Sequence, residues 1–263
     1  MSTVLDARSI SIVFGGLKAV TNFDLKLQDG ELVGLIGPNG AGKTTVFNML
    51  TGVYNPTSGD IILDSSNGPT SIVGLKPYQI TQMGVARTFQ NIRLFKELSV
   101  LDNVRIAFHF NVKYNALQGI FRTNAYYREE ERITKEALDL LKIFNIQDKA
   151  NEKAKNLPYG EQRKLEIVRA LATNPRALLL DEPAAGMNPQ ETHDLMNLIK
   201  FIRDKFKLTI LLIEHDMSLV MGICERIVVL DYGQTIAVGT PAQISKDPKV
   251  IKAYLGEGVE TSA

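Results

Sequence analysis

The alternation of apolar and polar positions changes character along the chain, and each change predicts a different kind of element. In the opening third, Phe23, Leu25 and Leu27 alternate with Asp24 and Lys26, the period of a half-buried antiparallel strand. Ser9 to Phe14 and Asp60 to Leu63 read as further short strands, with turns at Gly15-Gly16 and Asp29-Gly30. Leu32 to Ile36 does not alternate. It is nearly all apolar and runs straight into a glycine-rich stretch, as a strand covered on both faces does.

From about Asn91 to Ile167 the period lengthens. Ile133, Ala137, Leu140, Leu141 and Phe144 form one stripe of a helix over Glu129 to Phe144, with charges opposite. Asn111 to Tyr127 shows little periodicity and predicts a loop or a poorly packed excursion. Apolar strands return from Arg176 onward, at Ala177 to Leu180 and Thr209 to Ile213, and alternate with helices such as Pro189 to Phe206. That order predicts a parallel sheet. The expected architecture is α/β: a core of residues 1–90 and 168–263 with a mostly parallel sheet and an N-terminal antiparallel β subdomain, interrupted by an inserted helical subdomain over 91–167.

Composition narrows the function classes. The 263 residues carry a formal charge of +1, so no global field draws the chain to nucleic acid or anionic lipid. Cys224 is the single cysteine, which excludes an internal disulfide and predicts a buried thiol. The most apolar runs fall far short of the roughly 18–20 residues that cross a bilayer, so a membrane role must come through a partner. The first eight residues lack the basic start and apolar stretch of a secretory signal, and the expected location is the cytoplasm.

Candidate chemistry gathers at the strand ends. Gly37-Pro38-Asn39-Gly40-Ala41-Gly42-Lys43-Thr44 fits G-x-x-x-x-G-K-[ST], between the predicted strand 32–36 and a helix start over Thr45 to Leu50. Such a loop turns backbone N–H groups toward phosphates, and the helix dipole points at the same anion. Lys43 is placed to reach the terminal phosphates and Thr44 to hold Mg²⁺. Ala177 to Leu180 runs into Asp181-Glu182; at the ligand edge of a parallel sheet, Asp181 is placed to bind Mg²⁺ and Glu182 to deprotonate water. Thr209 to Ile213 delivers His215 to the same edge, where it can donate to the terminal phosphate or position the water. Gln90, in Arg87-Thr88-Phe89-Gln90, sits where the core gives way to the helical insertion, and its amide can ligate metal or water.

These pieces, in this order, resemble the ATP-binding subunits of ABC transporters. The deciding segment, Leu157-Pro158-Tyr159-Gly160-Glu161-Gln162, looks like the family's signature sequence, a glycine-containing turn opening a helix. The resemblance implies ATP and Mg²⁺ as ligands, held by Phe14 against adenine, by Gly37 through Thr44, and by Thr45. It implies that Leu157, Gly160 and Glu161 face the ATP of a second ATPase subunit, in a heterodimer or a homodimer. Pro158 and Tyr159 stand where the family carries serine and glycine, and Asn188 where it carries aspartate. Backbone donors near Gly160 then replace the lost hydroxyl.

Phe14 to Val20, Arg87-Thr88-Phe89-Gln90, Leu94-Phe95, Pro183 to Pro189, Ile213 to Met217, Ala253-Tyr254-Leu255-Gly256 and the Tyr159-Gly160 form of the signature are similar to the first ATPase subunit of branched-chain amino acid importers. Implied partners are two membrane permease subunits and, indirectly, an extracytoplasmic solute-binding protein, with this chain peripheral on the inner face of the cell membrane. ATPases of urea, amide and lipopolysaccharide systems stay open as alternatives, as does a soluble ABC ATPase of nucleic-acid or ribosome processes. For the last, the expected coiled-coil insertion or second cassette is missing from the sequence.

Overall fold

Strand β1 (Thr3–Phe14) pairs antiparallel with β2 (Leu17–Gln28), and the two Gly15-Gly16 residues that join them both have positive φ. The alternation reading finds only the second half of β1, for a physical reason. Val4, Leu5, Asp6 and Ala7 are all buried in succession, and the register shifts between Ala7 and Ile10, where Ser9 takes φ 47°. Strand β3 (Leu32–Ile36) belongs elsewhere, while β4 (Ser58–Ser65) and β5 (Gly68–Ser71) complete an antiparallel sheet of order β2-β1-β4-β5.

The computed structural model describes residues 2–65, 68–109 and 112–255. The chain divides into two units, Met1–Arg87 with Arg176–Ala263, and Thr88–Pro175. The reading from sequence puts the junctions after residues 90 and 167. The units part earlier and later than that, because β6 (Val85–Arg87) closes the first segment of the core and the helix that begins at Tyr159 runs unbroken through residue 168.

Within the core unit, β3 lies in a second sheet with β6, β7 (Ala177–Asp181), β8 (Thr209–Ile213), β9 (Arg226–Asp231) and β10 (Gln234–Gly239). Among the described residues its order is β10-β9-β3-β8-β7-β6, parallel except for β10. All residues of β3, β7 and β8 are buried, as strands covered on both faces must be. Leu35 and Asp181 both pair with Ile213, so three neighbouring strands end at one level. Helix α1 (Lys43–Leu50) packs Val46, Phe47 and Leu50 into the core beside Phe23 and Leu179, and α2 (Pro77–Gln82) adds Ile80. Cys224 is buried, and burial pushes its thiol up to about 12.

The helical unit is built on α3 (Val100–Phe108), α4 (Ala116–Ile120), α5 (Asn124–Ile143) and α6 (Tyr159–Leu171). Helix α5 buries Ile133, Ala137, Leu140 and Leu141, the stripe expected from sequence. Helix α4 buries none of its residues, and Leu117, Ile120 and Phe121 stand exposed, which is why that stretch shows no period. Val100 is core, whereas Phe95 and Leu98 are exposed. No helix among the described residues is long and apolar enough to cross a membrane.

Candidate functional site

The glycine-rich loop leaves β3 and opens α1 with Gly42 as N-cap at φ 103°. A Cβ on Gly37 would lie 2.0 Å from the Leu230 carbonyl oxygen, and one on Gly42 would lie 2.9 Å from that of Ala19. Only glycine lets the backbone close in this far. Lys43 is buried and donates through Nζ to the carbonyl oxygens of Gly37 at 2.7 Å and Pro38 at 2.9 Å. Burial lowers the pKa of its ammonium group, and the charges of Glu182 and Asp181 oppose that shift. Lysine and both acids therefore share one neighbourhood. Thr44 is exposed in the first turn of α1, beside half-buried Thr45; Asn39 and Gly40 form the exposed crest of the loop, between Pro38 and buried Ala41.

Glu182 follows the last residue of β7 at φ 47°, a left-handed conformation that costs a glutamate energy and turns its side chain out of the strand direction. Its N–H donates to Ile213 at 2.9 Å. Its Oε1 lies 2.7 Å from Nε2 of His215, where the ring N–H donates to the carboxylate. Asp181 is 3% exposed, and its Oδ2 accepts from Arg87 at 2.6 Å.

Glu214, to which the sequence reading assigns no role, holds these two loops together. Its carboxylate accepts from the N–H of Ala184, after β7, at 2.7 Å and from that of His215 at 3.1 Å. Burial raises its pKa, against the pull of those donors. Asp216 then caps α8 (Met217–Ile223) by accepting from Ser218 and Leu219.

Phe14 ends β1 with 42% of its surface exposed and meets Tyr54 edge-on at 5.2 Å. Beyond α7 (Pro189–Phe206) and α9 (Pro241–Ile244), α10 (Pro248–Leu255) brings a further unforeseen contact. The half-exposed Tyr254 phenol lies near the Gly37 backbone N–H; partial burial raises its pKa and that N–H opposes the shift. Lys249, Lys252 and Ala253 of the same helix line a cavity of about 670 Å³ with Asn39, Gly40 and Tyr232. Gly256, the last residue of the sequence motif here, lies outside the described residues.

Gln90, Leu157, Gly160 and Glu161 belong to the helical unit. Pro158 is the N-cap of α6, and Tyr159 and Gly160 are already helical, so the expected glycine turn is a first helical turn instead. The fixed φ of proline suits that boundary. Glu161 is paired with Lys149 at 2.6 Å, and Leu157 is buried. Arg163, fully buried, donates to the carbonyl oxygens of Phe89 at 2.6 Å and Gln90 at 2.8 Å, to Glu166 at 2.8 Å and to the Tyr159 hydroxyl at 3.2 Å. Glu166 in turn accepts from the N–H of Arg93 at 3.2 Å and of Phe89 at 3.4 Å. The segment around Gln90 is thus gripped by the helix that Tyr159 opens.

The core residues fit a nucleoside phosphate and its metal. The close-packed glycine loop and Lys43 supply donors for phosphate oxygens, and Thr44 and Asp181 supply the hard oxygen ligands that Mg²⁺ takes.

Comparison with known proteins agrees with a nucleotide-binding chain. The profile of the ABC transporter family matches residues 20–185, and that of the branched-chain amino acid ATP-binding cassette transporters matches residues 234–260. The chain is 50% identical over 97% of its length to the high-affinity branched-chain amino acid transport ATP-binding protein BraF of Pseudomonas aeruginosa, covering 98% of that protein. It is 48% identical, with the same coverage, to LivG of Escherichia coli, which has the same description, and 34% identical over 96% of its length to the lipopolysaccharide export system ATP-binding protein LptB of Escherichia coli, covering 97% of it. The ADP conformation of an ATP-binding cassette of an ABC transporter superposes with TM-score 0.83 at 31% identity, over 98% of this chain and 100% of that one. A dimeric post-hydrolysis ATP-binding cassette bound to ADP and Pi superposes with TM-score 0.74 at 25% identity, over 90% of this chain and 98% of that one.

Proposed function

Since this chain belongs to the ABC transporter family of ATP-binding subunits, we propose that it powers import of branched-chain amino acids by binding ATP, closing on a second ATPase subunit and hydrolysing the nucleotide. The observation that carries the chemistry is the 2.7 Å contact between Glu182 and His215 beside buried Lys43. The observation that favours this cargo is the ordering of the relatives, 48–50% identical to branched-chain amino acid subunits against 34% to a lipopolysaccharide one, together with the C-terminal profile.

The residues divide the work. Phe14 stacks on the base, the backbone of Gly37 through Thr44 and the Thr45 side hold the phosphates, and Lys43 leaves its loop carbonyls for them. Thr44 and Asp181 hold Mg²⁺, which when bound screens phosphate charge and orients the terminal group. Gln90 remains the amide proposed as a further ligand of metal or water. Glu182 orients the attacking water and takes its proton, while His215 holds the glutamate oxygen in place and is within reach of phosphate. In the helical unit, Leu157, Gly160 and Glu161 present the N-terminus of α6 to the partner's nucleotide.

The partners are a second ATPase subunit, two permease subunits that keep the chain on the inner face of the membrane, and a solute-binding protein outside. Exposed Phe95 and Leu98 are the proposed contact for a cytoplasmic permease helix. In cells whose own copy is deleted, uptake of radiolabelled leucine returns with the wild-type chain. With Glu182→Gln it stays at background, roughly 100-fold or more below wild type, while purified Glu182→Gln still binds ATP. Normal uptake with the variant contradicts the role of Glu182, and restored uptake of another solute alone contradicts the cargo.

A further inference from the structure

Arg87 ends the edge strand β6, and its guanidinium, 7% exposed, bridges the end of β7 and the C-terminal end of α1. Nη2 donates to Oδ2 of Asp181 at 2.6 Å. Nη1 donates to Oδ1 of Asn48, in the last turn of α1, at 2.7 Å and to the hydroxyl of Thr51, its C-cap, at 3.2 Å. The guanidinium carbon lies 5.4 Å from the centre of the fully buried Phe47 ring, so its plane is confined from that side too.

The geometry of α1 gives this contact a meaning. Asn48 stands four residues after Thr44 and therefore on the same face, one turn farther from the phosphates. One rigid, planar fork thus joins the Thr44 face of α1 to the Asp181 carboxylate.

We propose that Arg87 is a positioning residue that fixes the spacing of the Thr44 hydroxyl and the Asp181 carboxylate, and so sets the affinity of the site for its divalent metal. This rests on the reading of Thr44 and Asp181 as the metal-holding pair. Arg87 touches neither phosphate nor water in this scheme. A lysine keeps the charge but, as a point charge on a flexible stem, cannot hold Asn48 and Asp181 at once.

The test is a titration of Mn²⁺ into the protein with ADP, followed by the electron paramagnetic resonance signal of free Mn²⁺. A fluorescent ATP analogue in EDTA measures nucleotide affinity without metal, and circular dichroism checks folding. Expected is an Mn²⁺ dissociation constant raised about 10-fold by both Arg87→Met and Arg87→Lys and about 3-fold by Asn48→Ala, with metal-free nucleotide affinity changed less than about 2-fold. Unchanged Mn²⁺ affinity in folded variants overturns the proposal. Tighter Mn²⁺ binding also overturns it, since the guanidinium then acts only as a competing cation. If the Arg87 variants do not fold, Asn48→Ala decides alone. Thr44→Ala and Asp181→Asn serve as controls: if neither weakens Mn²⁺ binding, the metal-site reading has failed, and with it the basis of this proposal.

Discussion

The two units hold their functional segments by different means: in one a charged pair lies at the ends of apolar strands, in the other it replaces the apolar interior. In the core, buried strands stop at one level, with Asp181 at the end of β7 and Lys43, Glu182 and His215 on the segments that follow the strands. Apolar burial fixes the strands, and a few short polar contacts at their ends, the buried Arg87–Asp181 pair among them, aim the side chains. In the helical unit a charged pair, Arg163 and Glu166, occupies the interior itself and grips the backbone around Gln90. An apolar framework tolerates losses piecemeal, whereas a buried ion pair fails as a whole when one partner goes.

The largest expected effect follows from that difference. Arg163→Met leaves Glu166 buried without its counter-charge and lowers the stability of the helical unit by about 3–5 kcal/mol, read by urea denaturation of the purified chain. Adding Glu166→Leu restores most of that stability. The double variant still releases the carbonyls of Phe89 and Gln90, so its nucleotide-dependent turnover stays low. If the single variant is as stable as wild type, the contrast between the units disappears.

A smaller effect is expected in the core. Glu214→Gln keeps the shape but weakens two charge-assisted bonds, to Ala184 and His215, and costs about 1–2 kcal/mol. It also changes the pH profile. Burial raises the folded-state pKa of Glu214, so the folded protein favours the protonated carboxyl, and its contribution to stability falls as pH rises from the ordinary carboxylate range through the raised value. Glu166 is shifted in the same direction by burial. Thermal unfolding across that window should therefore show a smaller decline with pH in Glu214→Gln than in wild type. An identical profile assigns the decline to Glu166 and sharpens the comparison toward the helical unit.

The same contrast explains what could be read from the sequence. The apolar run at Leu32 to Ile36 before a glycine loop, and the runs ending at Asp181-Glu182 and before His215, announce both the parallel sheet and its chemistry, because a doubly buried strand leaves little freedom in pattern. Arg163 and Glu166 give no such signal. Helix α6 buries Leu165, Ile167, Val168, Ala170 and Leu171 as well as the charged pair, so burial runs almost all round and the apolar stripe that would reveal its orientation is lost. Arg87, Glu214 and Tyr254 were out of reach for another reason. Each acts through a partner distant in sequence, and only folding brings Asp181, Ala184 and Gly37 to them. The spacing of Glu214 just before His215 was visible, but nothing in it distinguishes a loop clamp from a solvated acid.

The central claim is that one terminal phosphate is met by Lys43, Asp181 through its metal, and His215. A crystal structure of the Glu182→Gln chain with ATP and Mg²⁺ tests it most directly. The account predicts Lys43 Nζ moved from the Gly37 and Pro38 carbonyls to the γ-phosphate, with the His215 ring and the metal held at Asp181 on the same phosphate. Nucleotide bound with Lys43 still on its loop carbonyls, or with His215 and Asp181 facing a different cavity, contradicts it.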